Sequence, residues 1–237
     1  MTYELSTLLV AAGSIAFIHT VSGPDHYLPF IVLSKSGNWS LGKTALITVL
    51  CSLGHILSSV TVGTIGVVFG IALTELEAFE SFQGNIAAWA LIAFGLVYFV
   101  WGVRQAVRNK THQHSHFHKD EMRHVHTHTH NQGHIHPHVE AENKNVTPWV
   151  LFAIFVFGPC EPLIPLLMYP AAQGSFWSLA LVTITFGVVT TVTMLSIVLI
   201  SSFGISFIPV SRLERYTHAL GGATIFLCGM SIQFLGL

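Results

Sequence analysis

Long apolar segments with few charges dominate this chain of 237 residues and restrict what it can fold into. Charged residues make up 9% of the sequence and hydrophobic residues 51%, whereas soluble domains carry roughly 25% charged residues. Each of six segments is near or above the ~20 residues that cross a bilayer. They cover residues 5–34, 43–73, 85–107, 148–171, 176–203 and 215–236. The sequence therefore predicts an all-α integral membrane protein with six transmembrane helices.

The positive charges predict the orientation of these helices. All ten Lys and Arg residues lie in, or at the span ends that border, the connections between spans one and two, three and four, and five and six. Cytoplasmic connections carry an excess of Lys and Arg, so these three connections are expected on the cytoplasmic side. We therefore predict a multi-pass protein of the cell (inner) membrane with both termini outside.

Gly-Pro pairs interrupt the first and fourth spans. Proline removes a backbone donor and breaks a helix, which leaves carbonyl groups free to face a ligand. Two matches relate the halves of the chain: Gly23-Pro24-Asp25-His26 with Gly158-Pro159-Cys160-Glu161, and Trp39-Ser40-Leu41 with Trp177-Ser178-Leu179. Because a three-helix unit used twice inverts its second copy, we predict two inverted repeats, residues 1–107 and 147–237, with helices 1 and 4 broken.

Ionisable side chains gather at the first break. His19, Asp25 and His26 flank it, and His55 lies within the next span. Each such group costs ~2.5–3.5 kcal/mol at the centre of a membrane helix, so a cluster indicates a functional site. Neutral imidazoles suit nickel, cobalt and zinc, and the carboxylate adds charge. We therefore predict that these four side chains bind a metal ion.

A purely structural interpretation of the same residues stays open. A buried hydrogen bond between His26 and Asp25 could lock the helix break, with His55 bonded to the backbone of a neighbouring helix. A continuous helix would separate His19 from His26 by about 10 Å, so a shared ion requires the break to bring them together. Secondary candidates for the site are Cys51, Cys160 and Glu161.

Histidine is concentrated in the connection between spans three and four. Eleven of the fifteen histidines lie there, at positions His112, His114, His116, His118, His124, His126, His128, His130, His134, His136 and His138. Such tracts bind metals, and the scarcity of apolar residues predicts a disordered cytoplasmic loop over residues 108–146. A metal buffer or sensor, a pH-responsive solvated loop and a tolerated insertion are the alternatives.

The motif His19-Thr-Val-Ser-Gly-Pro-Asp25-His26, followed by Leu53-Gly54-His55, resembles the nickel/cobalt transporter superfamily, in particular its six-span urease-accessory-type nickel permeases. The resemblance implies a divalent-cation site of His19, Asp25, His26 and His55. It implies a permease, not an enzyme, that moves nickel, with cobalt next and zinc as a further substrate. The ion is then cargo, no prosthetic group is expected, and the expected partners are the bilayer and a cytoplasmic metallochaperone, not nucleic acid.

A second resemblance points to another class of protein. Gly158-Pro159-Cys160 is similar to the proline-cysteine signature of membrane thiol-disulfide electron carriers, which use a comparable inverted three-helix repeat and one such cysteine in each half. Here the counterpart in the first half is Asp25, so Cys51 would have to supply the second thiol. Exporters of sulfur oxyanions share this fold group. A membrane metal sensor that transports nothing is a third alternative.

Overall fold

A computed structural model describes residues 3–108, 112–117, 123–128, 147–158, 160, 162–206 and 214–235 of the chain. It contains eight α-helices, two short 3-10 helices and two strands within these residues. The α-helices are α1 (Tyr3–Ser22), α2 (Leu28–Ser36), α3 (Leu41–Phe69), α4 (Leu73–Arg108), α5 (Thr147–Phe157), α6 (Leu163–Ala172), α7 (Phe176–Ser206) and α8 (Thr217–Leu235). The 3-10 helices are Pro24–His26 and Glu214–Tyr216, and the strands are β1 (His112–Phe117) and β2 (Arg123–His128).

Five of the helices in the described part of the chain are long and apolar enough to cross a membrane, namely α1, α3, α4, α7 and α8. The protein is therefore an α-helical multi-pass membrane protein, as predicted. The first predicted span is divided into α1, a 3-10 turn and α2. The fourth is divided into α5 and α6, each shorter than a membrane span. Both divisions fall at the Gly-Pro positions, because proline cannot continue the hydrogen-bond ladder of a helix.

The third long helix begins earlier than its apolar pattern predicts. The predicted span starts at residue 85, whereas α4 starts at Leu73 and includes Glu75, Glu77 and Glu80. Glutamate has a high helix propensity, so the acidic segment extends the helix although it lowers its hydropathy. Glu80 is only 2% exposed. These three acidic residues, which precede the predicted span, are therefore part of the helix.

The two strands lie in the segment for which a disordered loop is predicted. They pair antiparallel, with His112 opposite His128 and His116 opposite His124. The remaining residues of that segment lie outside those that the structure describes.

Some helix contacts recur at matching positions in the two halves of the chain. Helix α1 packs on α7 and α5 on α3, and α2 packs on α8 and α6 on α4. Helix α3 also packs on α7 and α4 on α8, and further contacts join α6 to α3 and α7 and α5 to α4. This pattern brings the two broken segments to the same central helix, α3.

Small residues set the approach of α4 to α8. A Cβ atom added at Gly102 would collide with the backbone of Ala219, and one at Gly222 would collide with the backbone of Phe99. Close backbone approach at small residues is a common way for membrane helices to associate. The wall formed by α4 and α8 is therefore packed tightly beside the first helix break.

Candidate functional site at the first helix break

The first break is a single 3-10 turn between α1 and α2. Helix α1 ends where the N–H of Gly23 bonds to the carbonyl of His19, at 3.0 Å, and the N–H of His26 then bonds to the carbonyl of Gly23, at 3.1 Å. A Cβ atom at Gly23 would lie 2.6 Å from Nδ1 of His26 and 2.8 Å from Oδ1 of Asp25. Glycine is therefore required here because the side chains of the turn fold back over it.

The break brings three imidazole rings together. The ring centroids of His19 and His26 are 4.8 Å apart, and those of His26 and His55 are 5.3 Å apart, both with edge-to-face geometry. One ring nitrogen from each residue lies within 4.8 Å of the others. The separation of about 10 Å expected for a continuous helix is thus removed by the 3-10 turn.

The fourth predicted side chain, Asp25, lies beside this cluster. Its Oδ1 atom is 3.1 Å from Nδ1 of His26, which is also 3.2 Å from the carbonyl oxygen of Gly23. The Nδ1 atom of His55 is 2.5 Å from the carbonyl oxygen of Gly158. Carbonyl oxygens only accept, so both rings donate from Nδ1 and keep an acceptor lone pair on Nε2. Asp25 therefore orients His26.

The Nε2 atoms of all three histidines are buried and have no hydrogen-bond partner among the described residues. His26 is 3% exposed and His55 is 6% exposed. A buried polar atom without a partner costs about 1–3 kcal/mol, so three in one place indicate a position that a ligand can satisfy. A cavity of about 580 Å³ adjoins them, and Asp25 and Asn85 of α4 also line it.

The secondary candidates Cys51 and Cys160 are not among the residues whose ligand atoms converge in this cluster. Cys51 packs in a core cluster with Phe155 and Cys228, whereas Cys160 packs in another cluster with Leu163 and Phe186. None of the three cysteines forms a disulfide in the described structure. Glu161 lies outside the described residues. The structure likewise does not describe the side chains of the loop histidines, from His112 to His138.

Two groups that position the site were not predicted from the sequence. The carbonyl of Gly158 accepts the bond from His55, and the hydroxyl of Ser59 accepts a bond of 2.6 Å from the N–H of Cys160. Both contacts join α3 to the second break. In each contact the two partners are more than a hundred residues apart in the sequence. The position of Ser59 one helical turn after His55 was the available signal. Nothing in the sequence identified Gly158 as its partner.

These observations define a class, a helical multi-pass membrane protein with a buried imidazole cluster where its first helix breaks. The family is defined by sequence comparison. The chain belongs to the family described as the cytochrome c biogenesis protein transmembrane region, whose profile matches residues 28–231. No curated protein matches the chain, and no solved structure does.

The family match corrects two predictions. Membership of the nickel/cobalt transporter superfamily was wrong, and so was the permease function for nickel, cobalt or zinc that followed from it. The prediction rested on two short motifs, at residues 19–26 and 53–55, and the first of them lies before the matched residues. Short motifs describe which side chains converge, and similar local arrangements occur on proteins of different function.

Proposed function

We propose that the protein acts in membrane thiol-disulfide exchange linked to cytochrome c biogenesis, with Cys160 as its reacting thiol. The observation that carries this proposal is the family match, which spans residues 28–231 and so includes Cys160. The position of Cys160 supports it further. This residue follows Pro159 at the second helix break and lies between α5 and α6, outside both helices.

The exchange would be intermolecular. The three cysteines form no disulfide among the described residues, and Cys160 packs in a different core cluster from Cys51 and Cys228. In the proposed reaction the Cys160 thiolate attacks one sulfur of an acceptor disulfide. The bond between Cys160 and that sulfur forms, the acceptor's S–S bond breaks, and the second acceptor sulfur leaves as a thiolate that takes up a proton.

A donor dithiol completes the cycle. One donor thiolate attacks the sulfur of Cys160 and releases the acceptor as a dithiol; the second donor thiolate then closes the donor disulfide and releases Cys160. Two electrons pass from donor to acceptor, and Cys160 is regenerated. Because Cys160 is fully buried, the α5–α6 break has to open before either partner reaches it.

Cytochrome c maturation tests the proposal. The wild-type protein, Cys160→Ser and Cys228→Ser are expressed in cells that lack their own membrane electron carrier, and haem-stained c-type cytochrome is measured at equal membrane abundance. We expect the wild type and Cys228→Ser to restore maturation and Cys160→Ser to lose it. Cys228 is a matched control because it is also buried, at 3% exposure. Equal maturation with Cys160→Ser would overturn the proposal.

We also propose the orientation given by the charges and the arrangement as inverted repeats. Both termini are outside, and the histidine-rich segment between α4 and α5 is cytoplasmic. The matching contacts of α1 with α7 and of α5 with α3 support the repeat. Reporter fusions after residues 110, 145 and 237 measure the orientation: activity of a periplasmic reporter at 237 alone is expected, and activity at 145 would contradict it.

A further inference from the structure

We infer that His19, His26 and His55 form a binding site for a divalent transition-metal ion, with zinc and cobalt as suitable probes. This inference goes beyond the proposed thiol chemistry and does not depend on it. The family match begins at residue 28, two positions after His26, so two of the three histidines lie outside the region that defines the family. The site is therefore a property of this chain's own residues.

The first argument is the convergence of buried ring nitrogens that lack a hydrogen-bond partner. Three Nε2 atoms are buried without a hydrogen-bond partner among the described residues, and one nitrogen from each ring lies within 4.8 Å of the others. A hydrophobic bundle that needed these rings only for packing would leave three buried ring nitrogens without partners in one place. A shared ligand satisfies all three at once.

The second argument is the state of the other ring nitrogens. His26 donates from Nδ1 to the carbonyl of Gly23 and the carboxylate of Asp25, and His55 donates from Nδ1 to the carbonyl of Gly158. Metal-binding histidines commonly donate their second N–H to a carboxylate or a backbone carbonyl, which fixes the tautomer and the ring orientation. The outer contacts of a metal site are therefore already present here.

The third argument concerns the kind of ion. Imidazole nitrogen suits zinc, copper, nickel and cobalt, whereas calcium and magnesium require several oxygen ligands. The one carboxylate at the site, Asp25, is engaged by His26. Three nitrogens around zinc, with bonds of ~2.0–2.1 Å, are about 3.4 Å apart. The ring nitrogens, which lie within 4.8 Å of one another, therefore need to approach by up to about 1.4 Å. The fourth position would open to the adjoining cavity.

Metal analysis of the full-length protein tests the inference, with the histidine-rich loop present in every sample. Wild type, His26→Gln and His218→Gln are purified in detergent and equilibrated with Co²⁺, and the ions bound per chain are counted. His218 is the matched control because it lies in α8 and bonds to Tyr98, away from the cluster. We expect wild type and His218→Gln to bind one more ion than His26→Gln, and the difference spectrum to show tetrahedral Co²⁺ bands.

A second variant keeps the test decisive if His26→Gln does not fold. Asp25→Asn retains all three ligands, so it should bind the same number of ions at saturation with an affinity about 10-fold to 100-fold lower. Equal counts and equal spectra in wild type and His26→Gln, or an unchanged affinity in Asp25→Asn, would overturn the inference. Neither result would affect the thiol proposal, because Cys160→Ser is expected to retain the ion.

Discussion

The two helix breaks of this protein use the same backbone device for different chemistry. At the first break, α1 gives way to a 3-10 turn whose side chains face a cavity, and Asp25 is 30% exposed. At the second, the carbonyl of Cys160 accepts a bond from the N–H of Leu163, which starts α6, and the Cys160 side chain is fully buried. A Gly-Pro pair makes each break, and the residues that follow decide whether it holds imidazoles or a thiol.

One helix connects the two breaks. His55 of α3 contributes a ring to the first site and bonds to the carbonyl of Gly158, while Ser59, one turn further along, accepts the N–H of Cys160. The imidazole cluster and the thiol therefore share helix α3 as their support. A change at one break is expected to reach the other through α3.

The strongest test of this connection is His55→Ala, since this ring touches both breaks. It removes one of three ligands and the bond to Gly158. We expect Co²⁺ affinity to fall by more than about 100-fold, because loss of a ligand exceeds the cost of losing an outer contact. Cys160 should also react faster with a maleimide reagent. Loss of Co²⁺ binding with an unchanged alkylation rate would show that the breaks are independent.

Gly23→Ala tests the first break without altering the second. The added methyl group would lie within contact of both Asp25 and His26, so the 3-10 turn has to shift and move the His26 ring. We expect Co²⁺ affinity to fall by about 10-fold to 100-fold, the range for losing the support of a ligand. Gly42→Ala is the control, because nothing lies within 4 Å of the added atom. Equal Co²⁺ affinity in both variants would mean that the turn does not position the ring.

Parts of this arrangement are readable from the sequence, and parts are not. The apolar segments and the Gly-Pro pairs predict the helices and both breaks because these depend on local hydropathy and backbone chemistry. The convergence of His19 and His26 follows from the same local break. The early start of α4 does not follow, because apolar length alone cannot distinguish a polar helical turn from a connection.

Contacts between the two halves of the chain also cannot be predicted from the sequence. The sequence placed Asp25 among the ligands, but whether its carboxylate binds an ion or orients His26 depends on the folded turn. It suggested Cys51 as a second thiol, yet the packing of α3 places that residue in a different cluster from Cys160. The bond from His55 to Gly158 requires knowledge of which helices are neighbours. Local patterns predict elements, whereas the site depends on their assembly.

Ser59→Ala tests the second break. It removes the hydroxyl that accepts the N–H of Cys160, a bond of 2.6 Å between fully buried residues. Loss of such an acceptor costs about 1–3 kcal/mol, and 1.4 kcal/mol corresponds to a tenfold change in an equilibrium. We therefore expect Cys160 to be alkylated about tenfold faster, with Co²⁺ binding unchanged. Ser58→Ala, at the less buried neighbouring position, should leave both measurements unchanged; a faster rate there would indicate general loosening of α3.

The smallest expected effect is that of the ion on the thiol. If Co²⁺ holds His55 in place, it also holds the Gly158 carbonyl and the segment that carries Cys160, so alkylation of Cys160 should slow by about fivefold in saturating Co²⁺, near the lower end of allosteric couplings. Imidazole nitrogens must be unprotonated to bind metal, so this protection should weaken and then disappear as the solution is made more acidic. His26→Gln supplies the control, because it keeps the bond between His55 and Gly158 but lacks a ligand. Protection that persists in His26→Gln would assign the effect to metal bound elsewhere, and protection absent from the wild type would mean that α3 does not transmit occupancy between the breaks.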